Sequence, residues 1–189
     1  FDYESVPVNL LKSEHRSEGY KALYPGQAMP TMVLEDGTVL TQSLAILEYL
    51  DALVPKPRLI PIAPLDRARV LTAAHTFALD VHPVNNLRVV KFLKSKHGLS
   101  DDNVRDWMLH WMAEGCSALE AQIDDHTTFC FGETPDIADL CLVAQLYNAK
   151  RWGFDMTPYP KLNRVDAACL ALPAIAAAHP DKQPDASPQ

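Results

Sequence analysis

Between Val54 and Leu65 the chain carries Pro55, Pro57, Pro61 and Pro64, and this run constrains the fold more than any other feature. A proline has no backbone donor and a fixed φ, so four within ten positions exclude a helix and favour an extended, semi-rigid connector. The two flanks follow different periods. Before the connector, Tyr3–Leu10 is short and rich in β-favouring residues, with Pro7 demoting it to an edge strand. Ser13–Leu23 reads as a polar helix stopped by Tyr24-Pro-Gly26. Thr31–Leu34 and Thr38–Leu40 flank Asp36-Gly37, a strong hairpin signal. Ser43 then opens the helical run Leu44, Ile46, Leu47, Leu50. This half reads β-α-β-β-α.

Beyond the connector every long segment has helical period: Asp66–Lys96, Asp101–Ile123, Asp136–Trp152, and Lys161–Ala178 broken at Pro173. Asp136 is placed as an N-cap with Asp139 in the reciprocal capping position. The expected organisation is a first domain over 1–54, a linker over 55–64, an all-helical domain over 65–180 and a frayed tail over 181–189.

A chain that is 48% apolar and 22% charged has the composition of a folded protein rather than a disordered one. Its net charge of -7 argues against a nucleic-acid or anionic-membrane footprint, so neither partner is expected. The apolar run Ala167–Ala178 is interrupted by Pro173 and is too short to span a bilayer, and no basic-then-apolar signal opens the chain; a cytoplasmic protein is expected. Cys116, Cys130, Cys141 and Cys169 form no close pair and read as reduced, buried small hydrophobes. GxGxxG, GxxxxGK[ST], HExxH and GxSxG are all absent, which removes sequence support for nucleotide, zinc-protease and serine-hydrolase chemistry. The histidines are scattered, and no metal site is expected.

Three places could bind a small molecule. In Asp80–Arg88 (DVHPVNNLR), Pro83 clashes with the carbonyl of Leu79 and should kink the helix. His82 and Asn86, four apart, share a face, while Arg88 points elsewhere. These polar groups either form a ligand wall or satisfy backbone groups at the kink. Around Met29-Pro30, a proline entering a strand suits a cis peptide, and Gln42-Ser43 at a helix start suits a carboxylate, or Ser43 is simply an N-cap. Arg151, ending a helix beside Lys150, either complements the dipole or binds a carboxylate. Trp107, Trp111 and Met112 share a helix and read as core.

Taken together, Tyr3–Leu10 (YESVPVNL), Met29–Thr31 (MPT), Leu40–Leu50 (LTQSLAILEYL), Asp80–Arg88, Ala138–Val143 (ADLCLV) and Thr157–Pro160 (TPYP) give the chain its likeness. It resembles the zeta class of glutathione S-transferases, and within it the bacterial maleylacetoacetate isomerases, with maleylpyruvate isomerases close behind. The resemblance implies a thioredoxin-like N-terminal domain followed by an all-helical C-terminal domain, assembled as a homodimer. It implies glutathione as cofactor, bound by Met29 before a cis-Pro30, by Gln42 and Ser43 at the helix start, by Gln27, and by His82 and Asn86. Arg88 and Arg151 would face a small dicarboxylate substrate.

The implied reaction converts maleylacetoacetate to fumarylacetoacetate in aromatic amino-acid catabolism. The thiolate adds beside the cis double bond, the resulting single bond rotates, and elimination gives the trans isomer and returns glutathione. The family begins with a strand and a helix that carry its thiol-activating motif. Neither is present here, so the resemblance implies that the working protein is longer and leaves the catalytic residue unassigned. Maleylpyruvate isomerase activity, and a catalytically silent protein that keeps the glutathione-transferase fold, are the alternatives.

Overall fold

A computed structural model describes residues 1–54, 56–183, 185 and 186. The chain forms two compact units, one over Phe1–Pro57 and one over Arg58–Lys182.

In the first unit, Tyr3–Leu10 is not a strand. A strand exists only through its ladder, and the only sheet among the described residues is the antiparallel pair β1 (Thr31–Val33) and β2 (Val39–Thr41), which offers this segment no partner. The polar helix expected over Ser13–Leu23 is divided. Glu14–Arg16 makes one 3-10 turn, Ser17 adopts an extended conformation, and its hydroxyl accepts from the Tyr20 N–H at 3.3 Å to start α1 (Glu18–Leu23). The hairpin forms as expected. Asp36 Oδ1 accepts from Thr38 N at 2.8 Å, Gly37 takes a φ of 85°, and Thr31 pairs with Thr41. Helix α2 (Ser43–Leu53) follows at once.

The second unit is all helix. Its helices are α3 (Pro64–His75), α4 (His82–Val84), α5 (Leu87–His97), α6 (Asp101–Gln122), α7 (Ile137–Arg151), α8 (Pro160–Leu170) and α9 (Pro173–Ala177). Between α3 and α4, Thr76–Val81 is π-helical, with the His82 N–H donating to the Phe77 carbonyl. The kink expected at Pro83 is therefore spread over a widened turn upstream of the proline. Thr72 and Thr76 contribute, since both hydroxyls donate back to the carbonyl four residues earlier, at 2.8 and 3.0 Å.

Helix α7 is the centre of this unit and packs on α3, α8 and the π-helical turn. Ile137, Ala138, Leu142, Leu146 and Ala149 are fully buried, as are Leu162 and Val165 of α8 and Met112, Cys116 and Leu119 of α6. The capping box forms as the sequence predicts: Asp136 Oδ1 accepts from Ala138 N at 2.8 Å and Asp139 Oδ2 accepts from Asp136 N at 2.7 Å. The other Asp139 oxygen accepts from Cys130 N at 2.8 Å. Burial, and then the neighbouring Asp139 carboxylate, raise the pKa of Asp136.

The end of α6 and the start of α8 cap each other. Glu120 accepts the Lys161 and Leu162 N–H groups, both at 3.0 Å, while Lys161 Nζ donates to the Ile123 carbonyl and an Arg164 amine to that of Asp124. Ile60, inside the proline-rich connector, is buried, and the Leu59 carbonyl accepts from Ile137 N at 3.0 Å. The tail expected to fray is tied down at its start: Pro180–Lys182 make a 3-10 turn and Asp181 accepts from the Tyr147 hydroxyl at 2.8 Å. Its residues 184 and 187–189, like Pro55, lie outside the described residues.

Helix α6 passes close to the π-helical turn because Gly115 has no side chain. A Cβ there would lie 2.2 Å from Val81 Cγ2 and 3.5 Å from the Phe77 ring. Gly115→Ala is expected to destabilise the protein by about 1–3 kcal/mol despite alanine's higher helix propensity, read as a lower urea midpoint at unchanged m-value.

Candidate functional site

The first unit gathers its candidate residues around one end of the hairpin. Because Thr31 pairs with Thr41, Pro30 entering β1 and Gln42 leaving β2 sit at the same end of the ladder. The Met29–Pro30 peptide is cis, as the sequence reading expects. Gln42 is the N-cap of α2 with φ 69° and ψ 115°, a left-handed conformation that costs a glutamine free energy and is retained where the surroundings demand it. Its side chain makes no cap bond, so Ser43 is the first helical residue rather than the cap. With no side-chain cap and no acidic residue in the first turn, the leading N–H groups of α2 form a positive helix end open to an anion.

The loop before Pro30 is held by two tyrosines that pattern reading missed. The Tyr20 hydroxyl, on α1, donates to the Ala28 carbonyl at 2.7 Å and is 2.8 Å from Thr31 Oγ1, so it spans Met29 and Pro30. Tyr24 accepts from Gln42 Nε2 at 3.4 Å, and its ring lies over Gly26, where a Cβ would come within 2.5 Å of it. Gln27 is also left-handed, with φ 50°, and its N–H donates to the Tyr24 carbonyl at 2.9 Å. The available signal was chemical: a partly buried tyrosine needs a partner for its hydroxyl.

In the second unit, His82 opens α4 and is exposed, yet partial desolvation by its surroundings lowers its pKa. Asn86 is the extended N-cap of α5, its Oδ1 accepting from Arg88 N at 3.1 Å, and Asn85 Nδ2 donates to the Met108 carbonyl at 3.2 Å. Asn86 therefore satisfies a backbone group at the break, one of the two readings left open by the sequence, whereas Asn85 reaches across to α6. Trp107, expected in the core, is half-buried, and its Nε1 donates to the Val84 carbonyl at 2.9 Å. Arg88 is exposed at the start of α5. Arg151 is exposed at the end of α7, its guanidinium 5.8 Å from the Tyr147 ring centroid, while the adjacent Lys150 is engaged by the buried Asp166. Among the described residues neither Arg88 nor Arg151 enters an ion pair.

The four cysteines are free thiols that burial disfavours as thiolates. Burial pushes Cys116 and Cys169 up to about 12 and Cys141 to about 11, and raises Cys130 further still. No group of three or more metal-ligating side chains occurs among the described residues, and none of their helices is long and apolar enough to cross a membrane.

Comparison with known proteins assigns this geometry to a class. Residues 1–53 match the family described as glutathione S-transferase, N-terminal domain, and residues 112–165 the glutathione S-transferase, C-terminal domain. A maleylacetoacetate isomerase of Pseudomonas aeruginosa is 41% identical over 186 residues, spanning 97% of this chain and 87% of its own length. The holo structure of a maleyl pyruvate isomerase, a bacterial zeta-class enzyme, superposes with a TM-score of 0.91 at 38% identity, covering 95% of this chain and 86% of that one. A maleylacetoacetate isomerase from Methylobacterium extorquens, solved with bound malonate and glutathione, gives 0.91 at 34% identity, covering 99% and 89%. The chain belongs to the glutathione S-transferase family, in its zeta class, with a thioredoxin-like N-terminal domain, whose described residues hold a two-stranded sheet, and a helical C-terminal domain.

Tyr20→Phe removes the hydroxyl that joins Ala28 to Thr31. It is expected to cost about 1–2 kcal/mol, the worth of one or two ordinary hydrogen bonds, measured by urea unfolding followed by circular dichroism.

Proposed function

We propose that this protein is a glutathione-dependent cis-trans isomerase that converts maleylacetoacetate to fumarylacetoacetate in aromatic amino-acid catabolism, working as a cytoplasmic homodimer. The observation that carries the reading is the uncapped start of α2, led by the left-handed Gln42 at the same hairpin end as cis-Pro30. A carboxylate is the complement of such a helix end, and a side-chain amide beside it adds a donor. That chemistry suits the γ-glutamyl end of glutathione. Gln42 and Ser43 would hold this carboxylate, Gln27 and the backbone of Met29 with Pro30 the cysteinyl portion, and His82 and Asn86 would contribute further polar contacts. When bound, glutathione supplies the sulfur nucleophile and leaves unchanged.

The remaining chemistry is electrostatic. Arg88 and Arg151, without carboxylate partners among the described residues, are available to bind the two carboxylates of a small acid. Their fixed positive charge also opposes the negative charge that builds on the substrate carbonyl during isomerisation. His82 adds an imidazole whose nitrogens can hydrogen-bond a ligand. The raised thiol pKa values leave no cysteine of the chain to compete as nucleophile.

The test follows cis-to-trans conversion of maleylacetoacetate and of maleylpyruvate, each with and without glutathione. Conversion that depends on glutathione and is faster for maleylacetoacetate is expected; preference for maleylpyruvate would reassign the substrate, and no conversion of either would reduce the protein to a silent fold. Gln42→Ala is expected to weaken glutathione binding about tenfold or more in a calorimetric titration, since a hydrogen bond to a charged group is worth about 1.5–3 kcal/mol. Arg151→Ala is expected to lower kcat/KM for the maleyl substrate by at least tenfold while leaving glutathione affinity within twofold, and Arg151→Lys to recover little of the loss because a point charge cannot replace the guanidinium fork.

A further inference from the structure

The break in the helix at residues 82–86 is held locally only by the short α4 turn and a few irregular backbone bonds, the Asn86 N–H reaching the Pro83 carbonyl. Upstream lies the π-helical turn, Pro83 contributes no donor, Asn85 sits in the bridge conformation at φ -97° and ψ 3°, and Asn86 is extended at φ -65° and ψ 146°. Two further bonds tie it to α6. The indole N–H of Trp107 donates to the Val84 carbonyl at 2.9 Å, and the amide of Asn85 donates to the Met108 carbonyl at 3.2 Å. The two bonds leave adjacent residues of α6 and reach adjacent residues of the break, so they fix its height and rotation together. Asn85 is only 6% exposed, its Oδ1 meets no donor among the described residues, and its own N–H bonds back to the carbonyls of Val81 and His82. An amide buried at such cost in so irregular a turn serves the position of that turn.

We infer that Trp107 and Asn85 are positioning residues: through their paired bonds to Val84 and Met108 they set where His82, Asn86 and Arg88 present their side chains, without touching a ligand themselves. This inference rests on the isomerase reading, in which those three side chains meet glutathione and substrate. Trp107 is the cleaner of the two to remove, because a phenylalanine keeps an aromatic ring on α6 and deletes only the donor.

The experiment compares wild type, Trp107→Phe, Asn85→Ser and Val104→Ala, the last a buried α6 residue outside the pair that serves as a stability control. In Trp107→Phe and Asn85→Ser, KM for the maleyl substrate and the Kd for glutathione are expected to rise at least fivefold. Without ligand, the amides of Asn85, Asn86, Val89 and Val90 are expected to exchange at least tenfold faster in both variants. Val104→Ala lowers Tm with KM within twofold of wild type. An active wild type whose KM is shared by Trp107→Phe, or a raised KM without faster exchange, would overturn the positioning role while leaving the isomerase reading intact. A folded wild type without isomerase activity would overturn that reading, and the inference with it. Should Asn85→Ser fail to fold, Trp107→Phe decides alone.

Discussion

The carboxylate of Asp139 holds the second unit together. It is fully buried, and its two oxygens accept from two backbone N–H groups that would otherwise be orphaned, those of Cys130 and Asp136. A charge so placed is tolerable only because both oxygens are used, and both bonds are charge-assisted. One bond starts α7 and the other pins the loop arriving from α6, so the most buried helix of the unit has its first turn and its approach fixed by a single side chain. The neighbouring Asp136 bears the cost: packed beside that carboxylate and partly desolvated, it holds its proton more tightly than an ordinary aspartate. Because the proton is bound more firmly in the folded state than in the unfolded one, this group favours folding less as pH rises above the usual carboxylate range.

Regularity in the core contrasts with irregularity where ligands are expected. Gln42 and Gln27 are left-handed without being glycines, and the 82–86 segment joins a π-helical turn to an extended cap. Each irregularity has hydroxyl or amide partners nearby. Tyr20 and Tyr24 lie beside the first, Trp107 and Asn85 beside the second, all on residues apart from those expected to meet ligand. Strained backbone persists when neighbouring groups over-determine it, and here the neighbours are aromatic side chains with one polar tip each, together with one buried amide.

Much of this was legible in the sequence where the cause is local. Asp36-Gly37 forms its hairpin because the carboxylate and the glycine act within two residues, and the capping box spans only three. Pro173 breaks the last helical run as read, but Pro64, assigned to the helix-free connector, is in fact the first residue of α3, and Pro160 opens α8 one residue before the expected start, because a proline is well suited to the first helical position. The errors arose where the cause is distant. Tyr3–Leu10 has a strand's composition, but no ladder partner among the described residues. Pro83 announced a kink, yet its relief in a π-helical turn depends on Gly115, more than thirty residues on, letting α6 approach Val81. Of the candidate site, Gln42-Ser43 at a helix start and Arg151 at a helix end could be picked out from the pattern, whereas Arg88 came only through the family resemblance. The tyrosines and Trp107 could not, because hydrophobic periodicity treats them as bulk and ignores the hydroxyl or indole N–H that decides their place.

A π-helical turn accommodates one residue more than an α-helix would need to cover the same rise. The widening at Thr76–Val81 therefore absorbs one residue while keeping the phase of the helix that follows. Loss of a single residue there would restore an ordinary helix and leave His82, Asn86 and Arg88 on nearly the same face, whereas the same loss in a regular helix would turn everything downstream by roughly 100°, the angle of one residue at 3.6 per turn. The widened turn is thus the place in this unit where a change of chain length can be taken up without redirecting the side chains beyond it.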